Sequence, residues 1–137
     1  TLGRLFREAP VNSIWEGSGN VMCLDVLRAV AKEPELVGVV LKELGRLAQG
    51  NESLQTAIKD LMGLFQHNPK DLEGMARLLV ERLIVTVQAC WLHAYSPAYV
   101  SEAFIQTRIV NPPSANFGSF NGSGLNLEAI LERAFPA

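Results

Sequence analysis

The sequence has few of the residues that build disulfide frameworks or metal sites. It contains two cysteines and two histidines in 137 residues. Cys23 and Cys90 each lie in an apolar run and are 67 positions apart, which matches neither a disulfide framework nor a metal-ligand spacing. His67 and His93 have no ligand partner at helical spacing and stand near the ends of predicted helices, where the helix dipole favours a cation. We therefore expect two buried, reduced thiols, two structural histidines and no metal.

The sequence also lacks a long apolar run and an excess of positive charge. Its longest apolar run, residues 83–92, has 10 residues by generous counting, too few to cross a bilayer, and no signal peptide opens the chain. The net charge is −2 and the pI is about 5.7, so the chain as a whole offers no basic field for nucleic acid or an anionic membrane. Together with the reduced thiols, these absences predict a soluble, cytoplasmic protein with no membrane partner.

What the sequence has in abundance is helical periodicity. Apolar residues make up 48% of the chain and charged residues 19%, an ordinary globular balance. Apolar residues recur at helical spacing between capping residues, and no stretch reads convincingly as a strand. We therefore predict an all-α fold, a helical bundle of five to six helices. The residues that open the predicted helices are Ser18, Pro34, Asn51, Asn68, Ser96 and Asn126.

The predicted fourth helix, about residues 70–95, is apolar nearly all round after Leu78. Such a helix is expected at the centre of a bundle, with Leu83 as a candidate central residue. Residues 33–110 read as one helical bundle. Residues 1–32 hold instead a basic stub, a proline turn, an acidic hinge and one helix. We therefore divide the chain into residues 1–32 and a helical extension, residues 33–137.

The acidic hinge has the sequence "WEGSGN", residues 15–20. Gly17 and Gly19 carry no side chain, so the backbone beside Glu16 can approach a ligand closely. The N–H groups of residues 18–20 come at the start of the predicted helix, where they are available to a phosphate or another anion. Trp15 can shield Glu16 from water, which raises a carboxyl pKa towards that of a general base. The alternative is a plain turn into a helix, with Glu16 a solvated acid.

The segment "LFREAPVNSIWEGSGNVMCLDVLRA", residues 5–29, resembles the C-terminal segment of the acyl-CoA dehydrogenase family. The matching pieces are "FREA" at 6–9, "WEGS" at 15–18 and the helix that ends at Arg28. The variant "SIWEGSGNVMCLDVLR", residues 13–28, with a further helical segment behind it, is similar to the AidB-like branch, adaptive-response flavoproteins related to isovaleryl-CoA dehydrogenase. The resemblance is specific over residues 4–32 and weaker over 33–137. It implies that residues 1–32 are the end of the family's C-terminal helical domain.

The resemblance also implies roles for the hinge residues. Glu16 falls on the family's catalytic base, which removes the α-proton of an acyl-CoA, and Gly17 matches a position that contacts the thioester substrate. Ser18, Gly19 and Asn20 match the segment that touches FAD. Ser18 stands where threonine is commoner, Trp15 where tyrosine is, and some branches carry their base elsewhere. FAD is expected in the full-length parent and not in this fragment, which lacks the other elements of the flavin site.

Three functions follow from these patterns. The first is a C-terminal fragment of an FAD-dependent acyl-CoA dehydrogenase-like oxidoreductase, which dehydrogenates acyl-CoA thioesters at the α,β-carbons and is inactive alone. The second is a DNA-binding module, as implied by the AidB-like branch. The third is a structural extension at the subunit interface of a tetrameric parent. Residues 33–137 carry 8 Lys and Arg against 11 Asp and Glu, a net charge of −3, which disfavours DNA. Lys42, Arg46 and Lys59 form the one modest basic group.

Overall fold

The computed structural model describes residues 2–15, 17–112 and 119–135, and these ranges contain helices and turns but no strand. The predicted all-α fold is therefore confirmed. A 3₁₀ turn, Ala9–Ser13, follows the first helix, and a π-helical turn, Gln106–Val110, follows the seventh. The eight α-helices of the described residues are α1 Leu2–Glu8, α2 Gly19–Lys32, α3 Glu35–Leu47, α4 Glu52–Phe65, α5 Pro69–Gly74, α6 Ala76–Tyr95, α7 Ala98–Ile105 and α8 Leu127–Ala134.

The structure divides the chain more finely than the predicted five to six helices. The predicted basic stub forms α1, and the predicted fourth helix is broken at Met75 into α5 and α6. Met75 has φ −104° and ψ 6°, outside the helical range, and follows Gly74, a residue of low helix propensity. Asn111 N–H bonds to the carbonyl of Gln106 at 3.0 Å, five residues back, so the predicted fifth helix ends as a π turn.

Local capping follows the sequence closely. Asn51 Oδ1 accepts the N–H of Leu54 at 3.1 Å and opens α4, and Asn68 Oδ1 accepts the N–H of Asp71 at 3.0 Å and opens α5. Gly50 has φ +80° in the turn between α3 and α4, a conformation that other L-residues adopt at a cost. Of the consecutive helices, α3 packs on α4 and α6 packs on α7.

The predicted central helix is confirmed in α6, which packs against α2, α3, α4, α5 and α7. Thr86, Ala89 and Cys90 are buried on this helix. Leu83 is only partly buried. One side of it packs against the core, and it also lines a small apolar groove between α2, α3 and α6. The main core cluster consists of Leu44, Leu47, Ala48, Leu54, Ile58, Leu61, Ala89, Cys90 and Ile105.

One stripe of α6 is apolar but not covered. Ile84, Trp91 and Tyr95 recur at spacings of seven and four and are 49%, 59% and 69% exposed. The rings of Trp91 and Tyr95 meet edge to face, with centroids 5.8 Å apart. The helix is therefore apolar nearly all round, as the sequence predicts, but is buried on its inner faces alone. Among the described residues, no helix combines the length and hydropathy needed to cross a membrane.

The N-terminal elements differ from the bundle behind them. The residues of α1 and of the 3₁₀ turn are all exposed, and these two elements pack mainly on each other. In contrast, α2 packs against α6. Cys23 on α2 and Ala76 and Leu79 on α6 are buried outside the main cluster, on the two helices that meet here. The single helix of residues 1–32 that covers the bundle is thus α2.

Candidate functional site

The site is built on the turn that leads into α2. Glu16 lies outside the described residues. Trp15, before it, is 67% exposed, and its N–H bonds to the carbonyl of Val11 at 2.8 Å. After it, Gly17 has φ +125°, a backbone conformation that favours glycine, and its N–H bonds to the carbonyl of Ile14 at 3.1 Å. The chain is thus bent back at Gly17 just before the helix begins.

Ser18 occupies the N-cap position that the sequence predicts. Its backbone is extended, with φ −69° and ψ 150°, and its carbonyl accepts the N–H of Met22 at 3.1 Å. Its hydroxyl makes no capping hydrogen bond, so the helix start at Gly19 is not closed by that side chain. The first N–H groups of an α-helix have no acceptor within the helix. Ser18, Gly19 and Asn20 therefore form a contiguous start of α2 with backbone donors that a ligand can use.

Arg77 is a residue of this site that the sequence does not reveal. It is the second residue of α6, and its Nη1 donates a hydrogen bond to Asn20 Oδ1 at 3.1 Å. A Cβ atom placed on Gly19 would come within 3.6–3.7 Å of the Arg77 guanidinium. The two contacting residues are 57 positions apart. No local pattern links positions at that separation, so only the fold identifies the contact.

A cleft of about 390 Å³ lies beside this contact. Its lining carries both signs of charge, from Arg77 at the start of α6 and Glu73 at the end of α5. The break at Met75 lies between these two residues and separates α5 from α6. The residues that line it are Asn20, Leu24, Glu73, Gly74, Ala76 and Arg77.

The other reactive or charged side chains in the described part of the chain lie apart from the α2 turn. Both cysteines are free and buried, as predicted. Burial raises the pKa of Cys90 to about 11, so its thiol stays protonated and unreactive near neutral pH. A hydrogen bond from Arg46 lowers the pKa of Glu43 on the surface of α3. Among the described residues, no three His, Cys, Asp or Glu side chains are grouped as a metal site would need.

Arg28, the other residue that the sequence motif singles out, pairs with Asp25 one turn earlier on α2. Both side chains are largely exposed. The pair lies within α2, and Arg28 comes nine positions after Gly19, where the helix begins.

Comparison with known proteins gives one informative match. The chain is 32% identical over 108 residues to the protein named "Putative acyl-CoA dehydrogenase AidB" from Escherichia coli strain K12, and the match covers 79% of this chain. It covers 19% of that protein, so the chain corresponds to about a fifth of its relative's length. The chain belongs to the acyl-CoA dehydrogenase family, as a C-terminal fragment of a member. No family model matches the chain, and no solved structure does.

Proposed function

We propose that this chain is the C-terminal part of a cytoplasmic, FAD-dependent acyl-CoA dehydrogenase-like oxidoreductase and supplies one edge of its active site. The observation that carries the proposal is the turn at residues 17–20, where a positive-φ glycine leads into the open N-terminus of α2. This turn follows directly on Glu16, and it lies in a chain whose family membership rests on 32% identity to an acyl-CoA dehydrogenase homologue.

The residues of the turn fit a phosphate-containing cofactor. Gly19 keeps open the space that a Cβ atom would fill next to Arg77. The free N–H groups of the first turn of α2 point out of its N-terminus. This is the positive end of the helix dipole, so it favours a bound anion. The guanidinium of Arg77 adds a full positive charge on the same side. Ser18, Gly19 and Asn20 would therefore hold part of FAD in the full-length protein, and FAD would supply the hydride acceptor of the reaction.

The remaining hinge residues would act on the substrate. Glu16 would be the general base that takes the α-proton of an acyl-CoA thioester. Gly17 would let the backbone approach the thioester, because a side chain at φ +125° would be both strained and in the way. A few backbone donors and one guanidinium cannot replace the rest of a flavin site, so the chain alone should neither hold FAD nor turn over substrate.

A structural contribution to subunit assembly is the second candidate, and it has more support than DNA binding. The uncovered stripe of Ile84, Trp91 and Tyr95 on α6 contains two of the residue types that are enriched at protein interfaces. In contrast, Arg46, a member of the predicted basic group, is bound by Glu43 at 2.7 and 3.0 Å, which neutralises its charge. We therefore propose that the helical extension, residues 33–137, also supports self-association of the parent.

Flavin binding tests the proposal at the level of the whole protein. The full-length protein should purify with a flavin absorbance band that survives gel filtration and bleaches when a reactive acyl-CoA is added without oxygen. The isolated chain, mixed with micromolar FAD and filtered in the same way, should be colourless. A full-length protein without affinity for FAD would contradict the proposal, and a yellow isolated chain would contradict the claim that this fragment is insufficient.

A further inference from the structure

Arg77 and Asn20 join the start of α2 to the bundle behind it. Arg77 is the second residue of α6 and Asn20 the second residue of α2, so both stand at helix N-termini. Their hydrogen bond, at 3.1 Å, crosses between two helices. Three other arginines, in contrast, form ion pairs with residues only three or four positions away: Arg4 with Glu8, Arg28 with Asp25 and Arg46 with Glu43. The Arg77 bond therefore fixes one segment against another.

The guanidinium of Arg77 lies where the dipole of α2 disfavours a positive charge. It lies against the Gly19 end of α2, which is the positive end of the helix dipole, where a carboxylate would be stabilised and a cation is not. Glu73 is the acidic residue that lines the same cleft. Contacts that lower stability, such as this cation at the N-terminus of a helix, are expected mainly at functional sites.

We propose that Arg77 is a positioning residue for the cofactor-contacting turn. Its guanidinium holds the Asn20 side chain, and with it the first turn of α2, in the orientation that presents the backbone donors of residues 18–20 to a phosphate of FAD. A planar guanidinium suits this task because it donates in fixed directions, which an ammonium does not. The extension behind residue 32 thereby takes part in flavin binding through the α2 turn. This inference rests on the proposed function.

The first test needs no cofactor. In this chain, Arg77→Ala and Asn20→Ala should each speed amide hydrogen exchange at Met22 and Cys23, the first two amides of α2 with acceptors in the first turn, while Arg77→Lys should do so less. The matched control is Arg82→Ala, because Arg82 is an exposed arginine further along α6 that lines a different cleft, between α4 and α6. Exchange at these amides that is unchanged in Arg77→Ala would show that the hydrogen bond does not order the turn and would overturn the inference.

The second test measures FAD affinity in the full-length protein. Arg77→Ala and Asn20→Ala should each weaken FAD binding about tenfold, and the double variant should be no weaker than either single one, as expected for two residues that act through one contact. The midpoint of thermal unfolding of the apoprotein should stay unchanged. Additive losses, or an affinity equal to that of the unaltered protein, would overturn the role of Arg77 while leaving the proposed function standing. An unaltered full-length protein that binds no FAD would overturn both.

Discussion

Leu79→Ala provides the sharpest test of how α6 is packed outside the main core cluster. This residue is 0% exposed on α6, yet it lies outside the main core cluster, on the helix against which α2 packs. Leu79→Ala removes a side chain whose full burial is worth about 1.5–3 kcal/mol in transfer free energy. The cavity that remains adds to this loss, so substitutions of this kind cost about 2–5 kcal/mol. We expect a loss of about 3 kcal/mol in the free energy of unfolding.

The measurement is urea unfolding of this chain followed by far-UV circular dichroism, with the free energy extrapolated to water. A loss of 3 kcal/mol also corresponds to a drop of about 10 °C in the thermal midpoint for a chain of this size. Ile84→Ala is the matched control, since it removes an aliphatic side chain from the same helix at a position that is 49% exposed. Its cost should stay below about 1 kcal/mol, because it removes little buried surface and alanine has the better helix propensity.

Leu83→Ala should fall between these two, since Leu83 packs against the core but also borders the apolar groove. A groove that already opens at Leu83 can accommodate the truncation with a smaller new cavity. A loss for Leu79→Ala no larger than that for Ile84→Ala would refute the reasoning, because it would mean that the Leu79 side chain is not packed in the folded chain.

Two further predictions concern backbone conformation and pH. Gly63→Ala, within α4 with no atom in the way, should stabilise the chain by about 0.5–1 kcal/mol in urea unfolding, whereas Gly50→Ala, at φ +80°, should destabilise it by about 1 kcal/mol or more; two changes of the same sign would contradict this. Burial holds the folded pKa of Cys90, at about 11, above its ordinary 9.0, so the folded state retains a proton that the unfolded state releases, and stability should decline as pH rises from about 9 to 11. Cys90→Ala should flatten that decline, and an unaltered slope in unfolding measured across this range would refute the attribution.

The helix boundaries were predictable where the signal is local. Asn51 and Asn68 predict helix starts because capping depends only on neighbouring residues. In each case the side-chain oxygen accepts the N–H of the residue three positions later. The break at Met75 was missed, since one glycine within an otherwise helical pattern is compatible with a continuous helix. Whether an apolar side chain at helical spacing is buried depends on which other helices cover it. The spacing of the exposed Trp91 on α6 therefore does not distinguish it from a core residue.

The candidate site was predictable in part for the same reason. Gly17 through Asn20 are consecutive, so a motif and its resemblance to a family suffice to place them together at the start of α2. Arg77 reaches the same turn from 57 positions away, through the packing of α2 on α6. A contact of this kind is decided by tertiary structure, and no spacing in the sequence encodes it.

Proton abstraction by the full-length protein tests the central claim most directly. Exchange of the α-proton of an acyl-CoA with deuterated water, followed by mass spectrometry, measures the base without requiring complete turnover. Glu16→Gln should lower the exchange rate by about 10²–10⁴-fold, the usual contribution of a positioned general base, while FAD stays bound, because the proposed cofactor contacts come from residues 18–20. The control, Glu33→Gln at the exposed opposite end of α2, should exchange at the unaltered rate. An exchange rate indifferent to Glu16→Gln would contradict the account and place the base elsewhere.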